Sequence, residues 1–442
     1  MVAKLGDPAP GGGTHEFYFV PQAINDNGDV SFDSSLSEFP NGGEGLFLSR
    51  HGVNTQITRT GLPAPGTSTT FGTYGMIAPP GSGINNNGDM AFAFALGFPD
   101  PNPLPFSTIA GVWRYDASHN TVTKVHVPGD PAPGHTTFQG TSISPTINNN
   151  GVVIAVGIID TDKGYCHAPE CNSPPHTLGL GRGIYTADRH NRISKIIVPG
   201  DPAPGGLTST FDDAYDPDIN DGGDVVFAAH VTGETCGFVT ILGCSDSLYL
   251  YRSSTGRISS IAHQGDPAPG GGNFLIVSDG QINNRGDMTY IGNLVTLTAD
   301  EKLRVILTDR RGVSRTIAQT GASLPGGVMV NTAYHGSLAI NNSGVVAFVA
   351  KLDADVNGDN IPDTGVYVDH GGIITTVVRT GTVIPGLGTV THTNELDIVD
   401  VPIPPFPGVD INDRGEVLTQ VVLENGENYI VVASPRGNNL RH

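Results

Sequence analysis

One stretch of eleven residues, Asp353-Ala-Asp355-Val-Asn357-Gly358-Asp359-Asn-Ile-Pro-Asp363, sets side-chain oxygens at alternate positions around a glycine and ends on a further carboxylate. Hard cations such as Ca2+ take about six to eight oxygen ligands, and alternation in a tight loop turns such oxygens inward. Asp353, Asp355, Asn357, Asp359 and Asp363 are therefore candidate ligands of a structural Ca2+, against the plainer reading of a solvated acidic turn. A second set is aromatic and basic: His15, His135, His335 and His392, with Tyr18, Tyr74, Tyr215 and Tyr334, in corresponding segments. Histidine and tyrosine are the base and acid of β-elimination from a polysaccharide, with an arginine such as Arg182 to neutralise a uronate. Packed aromatics and solvated imidazoles account for the same residues, so no catalytic residue is assigned. The sequence has no Gly-x-Ser-x-Gly elbow, His-Glu-x-x-His, phosphate loop or Cys-x-x-Cys-His.

The four cysteines fall in two local pairs, Cys166 with Cys171 and Cys236 with Cys244. Short paired spacings read as disulfide staples of an oxidising compartment, each contributing roughly 2 kcal/mol. His167, Glu170 and His176 near the first pair make zinc the lesser alternative. A net charge of −20 disfavours nucleic acid and anionic membranes as partners. No run reaches the roughly 18 apolar residues of a membrane helix. The opening Met-Val-Ala-Lys-Leu-Gly-Asp-Pro has no apolar signal region. An extracellular or cell-surface location, which the cysteine pairs favour, then requires a leader and any anchor outside this sequence.

These residues are set on a repeat. A Gly-Asp-Pro-Ala-Pro-Gly-like phrase begins near residues 6, 61, 129, 200, 265, 321 and 381. Each is followed by an Ile-Asn-x-x-Gly phrase, with its Asn at 25, 85, 148, 220, 283, 341 and 412, and then by two apolar runs. The Asn positions are 60, 63, 72, 63, 58 and 71 residues apart. Gly 60 and Pro 33 sit at fixed offsets as turn punctuation. Each copy reads as four short strands joined mostly by hairpins, with no helical pattern. Seven such units predict an all-β fold, a seven-bladed β-propeller of four-stranded antiparallel blades, spanning 1–442 as one domain. Val2-Ala3-Lys4-Leu5 supplies the outer strand that the last copy lacks, hiding a sheet edge. In the turn phrase Asn bonds its own backbone two residues on, and Phe32, Phe92, Phe227 and Phe348 pack between blades. The Asp of the Gly-Asp-Pro phrase caps its loop.

The long insertions, 98–109, 160–182, 233–246 and 353–364, all join second to third strands. In a propeller those loops share a face with the Gly-Asp-Pro loops, while the other face carries only tight turns. His15, Tyr18, His135, Tyr215, Tyr334, His335 and His392 would then ring the channel mouth on the insertion-bearing face, the expected binding surface.

The turn phrases resemble those of a bacterial surface tandem-repeat family named for an Asn-x-x-Gly…Ala-Phe repeat with interchangeable C-terminal anchors. Asn-Asn-Asn-Gly-Asp-Met-Ala-Phe at 85–92 and Asn-Asn-Ser-Gly-Val-Val-Ala-Phe at 341–348 match best, whereas the third, fifth and seventh copies depart at the Ala-Phe end. The resemblance implies secretion and surface display and brings no catalytic residues. The 353–363 stretch likewise looks like the Asp-rich calcium loops of dockerin and thrombospondin type repeats, without flanking helices or a position-twelve Glu. Together these features predict a secreted or surface binding or structural module for glycan or protein ligands. The alternatives are an extracellular polysaccharide lyase or hydrolase, and a subunit that self-assembles by strand exchange.

Overall fold

The structure, a computed structural model, describes residues 1–37, 43–72, 82–97, 110–141, 145–161, 179–204, 209–232, 247–294, 302–332, 336–394 and 408–434. Its strands form seven antiparallel sheets, each of four strands in its main ladder, closed into a ring: a seven-bladed β-propeller. Among the described residues there is no helix.

Within a blade the strands differ as their surroundings differ. The second strand is covered by a blade on each side, so Met90–Ala95 (Met-Ala-Phe-Ala-Phe-Ala) is buried at every position. The outer strand, such as Val53–Arg59, alternates between exposed and half-buried residues over most of its length, as a one-sided strand must. The aromatic residue that closes the turn phrase stacks across the ladder on an aromatic of the third strand. Phe32 lies over Phe47, Phe92 over Trp113, Phe227 over Tyr249 and Phe348 over Tyr367, with ring centroids 5.3, 6.2, 5.7 and 5.6 Å apart. Such pairs add about 0.5–1.5 kcal/mol each beyond the area they bury.

The Gly-Asp-Pro phrase joins each outer strand to the next inner strand through one repeated latch. The amide of its first glycine donates to the main-chain oxygen of His15, Phe71, Phe138, Phe211, Phe274, Met329 or Val390, near the start of the inner strand of each blade. Asp130, Asp201 and Asp266 each accept the amide three residues earlier, at Val127, Val198 and His263, so the expected loop-capping role is seen in these copies.

Ring closure takes the expected form. Ala3–Lys4 pairs antiparallel with Asn428–Ala433, Ala3 opposite Ile430 and Lys4 opposite Tyr429. Leu5 donates its amide to Asn428, and the Lys4 ammonium meets the Glu427 carboxylate. One apolar cluster, containing Ala3, Phe19, Phe32, Leu418 and Ile430, joins the first and last blades.

Candidate functional site

The turn phrases end the inner strands, so antiparallel geometry puts all seven around one end of the channel. Each Asn folds its own turn first. Asn25 Oδ1 accepts the amides of Asn27 (3.0 Å) and Asp29 (2.9 Å), and Gly28 closes the turn at φ 82°, a backbone conformation that side chains rarely adopt. The other end of the same side chain leaves the blade. Nδ2 of Asn25, Asn85, Asn148, Asn220, Asn283, Asn341 and Asn412 donates to the main-chain oxygen of the corresponding Asn in the next blade, at 2.9–3.2 Å, and the seventh bond returns to Asn25.

A second belt lies beside it. The residue after each Asn is Asp26, Asn86, Asn149, Asp221, Asn284, Asn342 or Asp413, and its Oδ1 accepts the amide of the equivalent residue in the preceding blade at 2.7–2.9 Å. These residues and the isoleucines that precede them line a cavity of about 190 Å3 with no Lys or Arg among the described residues of its wall. The turn is legible in the sequence, and the two belts are not. The signal was present, since Asp or Asn stands after the motif Asn in all seven copies.

Further along the channel, two carboxylates cover inner-strand amides that a sheet edge would leave unpaired. Asp218 Oδ2 accepts the amide of Ile282 at 2.9 Å, and Asp410 Oδ2 that of Ile24 at 2.8 Å, each reaching the next blade. Burial pushes the Asp218 carboxyl up to about 7, with Asp410 and Asp279 adding repulsion, and burial raises Asp410 to about 6, with Asp26 adding to it.

The opposite end of the channel is where the insertions are rooted. Ladder pairs Ala95 with Ala110, Thr161 with Gly179, Ala229 with Ser247 and Lys351 with Thr364 stand at the ends of the second and third strands remote from the turn phrases. Between the third and fourth blades this end carries a polar cluster. Arg182 Nε donates to Asp213 Oδ1 (2.9 Å) and Oδ2 (3.0 Å), and the Arg182 main-chain amide also reaches Asp213 Oδ1 at 3.0 Å. The guanidinium lies 4.8 Å over the ring of half-buried Tyr215. Next to Asp213, His230 Nδ1 is 3.1 Å from Asp212 Oδ2, and both side chains are buried. Asp212 occupies the extra position of a bulge, since Phe211 pairs with Val231 and Asp213 with His230. His230 and Asp212 were not anticipated, because a mid-strand His has no local signature.

The candidates from the sequence are dispersed. His15 is a correction: it does not line the channel mouth. Its ring is buried against Phe19, Phe32 and Phe47 at centroid distances of 5.4, 5.7 and 4.9 Å, and burial lowers it to about 4. It stands where four other blades place phenylalanine, which makes it a core residue. His135 is exposed in a Gly-Asp-Pro loop, and Tyr215 is in the Arg182 cluster. His392 is buried with Nε2 3.2 Å from Asp359 Oδ2 of the acidic loop. Tyr74, Tyr334, His335, the Tyr18 side chain and all four cysteines, Cys166, Cys171, Cys236 and Cys244, lie outside the described residues.

In the acidic loop Asp355 accepts the amides of Gly358, Asp359 and Asn360, Asp359 accepts that of Ile361, and Asp363 Oδ1 that of Val356. Asp353 Oδ1 is engaged by the amide of Val328. Among the described residues no three acidic, imidazole or thiol groups stand close enough to hold a metal ion as placed. The oxygen donors are of the type that Ca2+ takes, but as placed they do not converge on one point.

Comparison with known proteins adds little beyond the fold. A family model described as "Family of unknown function (DUF7453)" matches residues 242–430. No curated protein matches the chain. Among solved structures, the chain is similar to a polysaccharide lyase of family PL25, an ulvan lyase, at 11% identity and a TM-score of 0.48, covering 100% of this chain and 98% of that one. It is also similar to the polysaccharide lyase Uly1, at 9% identity and a TM-score of 0.48, covering 95% and 90%. An α-L-arabinanase of Penicillium chrysogenum aligns at 12% identity and a TM-score of 0.40, covering 84% and 98%. No helix among the described residues is long and apolar enough to cross a membrane.

Proposed function

We propose that this propeller is a secreted or cell-surface binding module that takes a glycan or protein ligand on its insertion-bearing face. One observation carries the reading: the two ends of the channel are built differently. At the turn end, fourteen hydrogen bonds in two closed belts engage the motif side chains with the scaffold itself. At the other end, Tyr215 offers a half-exposed ring held flat by a charge-compensated Arg182. A rigid aromatic face beside fixed hydrogen-bonding groups suits sugar rings or extended peptide. A glycan array and titrations with uronate-rich and neutral polysaccharides test this. Binding that falls about tenfold or more in Tyr215→Ala supports it. Binding unchanged by that variant moves the site elsewhere.

A second reading, a lyase on acidic polysaccharide, is favoured by the buried His230–Asp212 pair, which adjoins Asp213 of the Arg182 cluster, since a carboxylate that orients imidazole is the arrangement of a general base. Incubation with uronate-rich polysaccharide, followed by the absorbance of unsaturated ends, decides between binder and lyase.

A further inference from the structure

We propose that the loop 353–363 binds one divalent cation, best matched to Ca2+, through Asp355, Asn357, Asp359 and Asp363, and that the ion fastens the sixth blade to the inner strand of the seventh. Asp363 is the observation that points to an ion. It is 1% exposed, its Oδ1 accepts the Val356 amide at 3.1 Å and so turns the carboxylate into the loop, and its Oδ2 is buried with no hydrogen-bond partner. A buried carboxylate oxygen without a donor is costly, and a cation is the ligand that relieves it.

The other donors belong to the same turn, and the ion would draw them together. Asp355 curls the chain by accepting the amides of Gly358 (2.8 Å), Asp359 (3.1 Å) and Asn360 (3.1 Å), while Gly358 and Asn360 take φ of 74° and 66°. A carboxylate has about four lone-pair sites, so these amides leave Asp355 free to ligate as well. Asn357 Nδ2 meets Asp359 Oδ2 at 2.7 Å, which brings those two side chains together. Asp353 is set apart: its amide and Oδ1 both pair with Val328, which anchors the loop to its own blade. Oxygen donors from an irregular loop suit Ca2+, because Mg2+ demands near-octahedral geometry. Two contacts connect this loop to the inner strand Gly388–Thr393: His392 Nε2 at 3.2 Å from Asp359, and the Thr393 amide at 2.8 Å from Thr364 Oγ1. Tightening of the loop is therefore felt at the seam between the sixth and seventh blades.

The test is calorimetric titration of the chelator-treated chain with CaCl2 and with MgCl2, together with thermal unfolding in Ca2+ and in EGTA. The expected result is one Ca2+ per chain, affinity for Mg2+ weaker by about tenfold or more, and a melting temperature that rises with Ca2+ and falls back in EGTA. Asp363→Asn and the exposed Asp359→Asn should abolish both effects, while Asp353→Asn should bind as the parent does. Asp359→Asn keeps the test decisive if Asp363→Asn fails to fold. Absence of heat and of a melting shift in the parent chain would falsify the site. Binding that survives Asp359→Asn and Asp363→Asn would assign the ion to other carboxylates of this acidic protein.

Discussion

The side-chain amide of Asn412 donates to the main-chain oxygen of Asn25 at 3.0 Å, although 387 residues separate the two. The bond is the same as those between all other neighbouring blades, so at the turn end the seam between first and last blades is indistinguishable from the rest. Closure thus has two independent parts: the belts at the channel, and the strand Ala3–Lys4 at the rim.

The belts predict a graded mutational pattern. Asn25→Ala removes an acceptor of two amides and the donor to Asn85, and leaves the buried Asp29 amide without that acceptor. We expect a loss of about 3–5 kcal/mol in urea unfolding, and losses of similar size for Asn148→Ala and Asn283→Ala. Asn284→Ala, in the more exposed second belt, should cost about 1 kcal/mol. Equal costs in both belts would mean that the first is not what braces the ring.

Asp218 gives a pH dependence of definite sign. Its folded value is about 7, against the ordinary 3.8 of an unfolded chain, so the folded state binds more protons between those limits. Its contribution to stability is therefore greatest at acid pH and is lost as pH rises through about 7. Asp218→Asn keeps an oxygen for the Ile282 amide and abolishes the titration. The variant should gain on the parent by on the order of 2–3 kcal/mol between pH 5 and pH 8, read as the difference between two denaturation series. A gain that does not change with pH would show that the carboxyl titrates normally.

His15 titrates in the opposite sense. Burial lowers it to about 4 from 6.5, so the stability it permits is present above about 6.5 and is lost as pH falls through 4. His15→Phe places in the first blade the residue found there in the second to fifth blades, at Phe71, Phe138, Phe211 and Phe274. It should stabilise by about 2 kcal/mol more at pH 5 than at pH 8. An NMR titration that finds His15 near 6.5 would contradict its burial.

His15 also marks the limit of what the residues disclose. Strand identity, blade number and the closing strand were legible because hairpin turns and apolar runs recur with local spacing. The role of Asn25 within its own turn was legible for the same reason. Its bond to Asn85 was not, because the two stand 60 positions apart and only closure brings them together. Within its own segment His15 carries no mark of burial; set against the other copies, it falls on the column of Phe71 and Phe211, which is core. Asp212, His230 and Asp218 depend on bulges, which alter side-chain direction without a residue-type signal.

The strand Ala3–Lys4 allows the two parts of closure to be separated. Deleting residues 1–5 removes its ladder with Asn428–Ala433, the Val2 and Leu5 amide bonds to Ile430 and Asn428, and the Lys4–Glu427 contact. The belts do not involve these residues, and the Asp410 bond to Ile24 and the Gln420 bond to Phe19 still cross the seam. The truncated chain should therefore fold as a closed propeller with reduced stability. It should also expose the outer edge of Asn428–Ala433, whose sequence Asn-Tyr-Ile-Val-Val-Ala suits pairing with another chain. Size-exclusion chromatography with light scattering at two concentrations checks both points: a folded monomer when dilute and concentration-dependent association when concentrated. An unfolded chain at both concentrations would show that the rim strand, and not the belts, closes the ring.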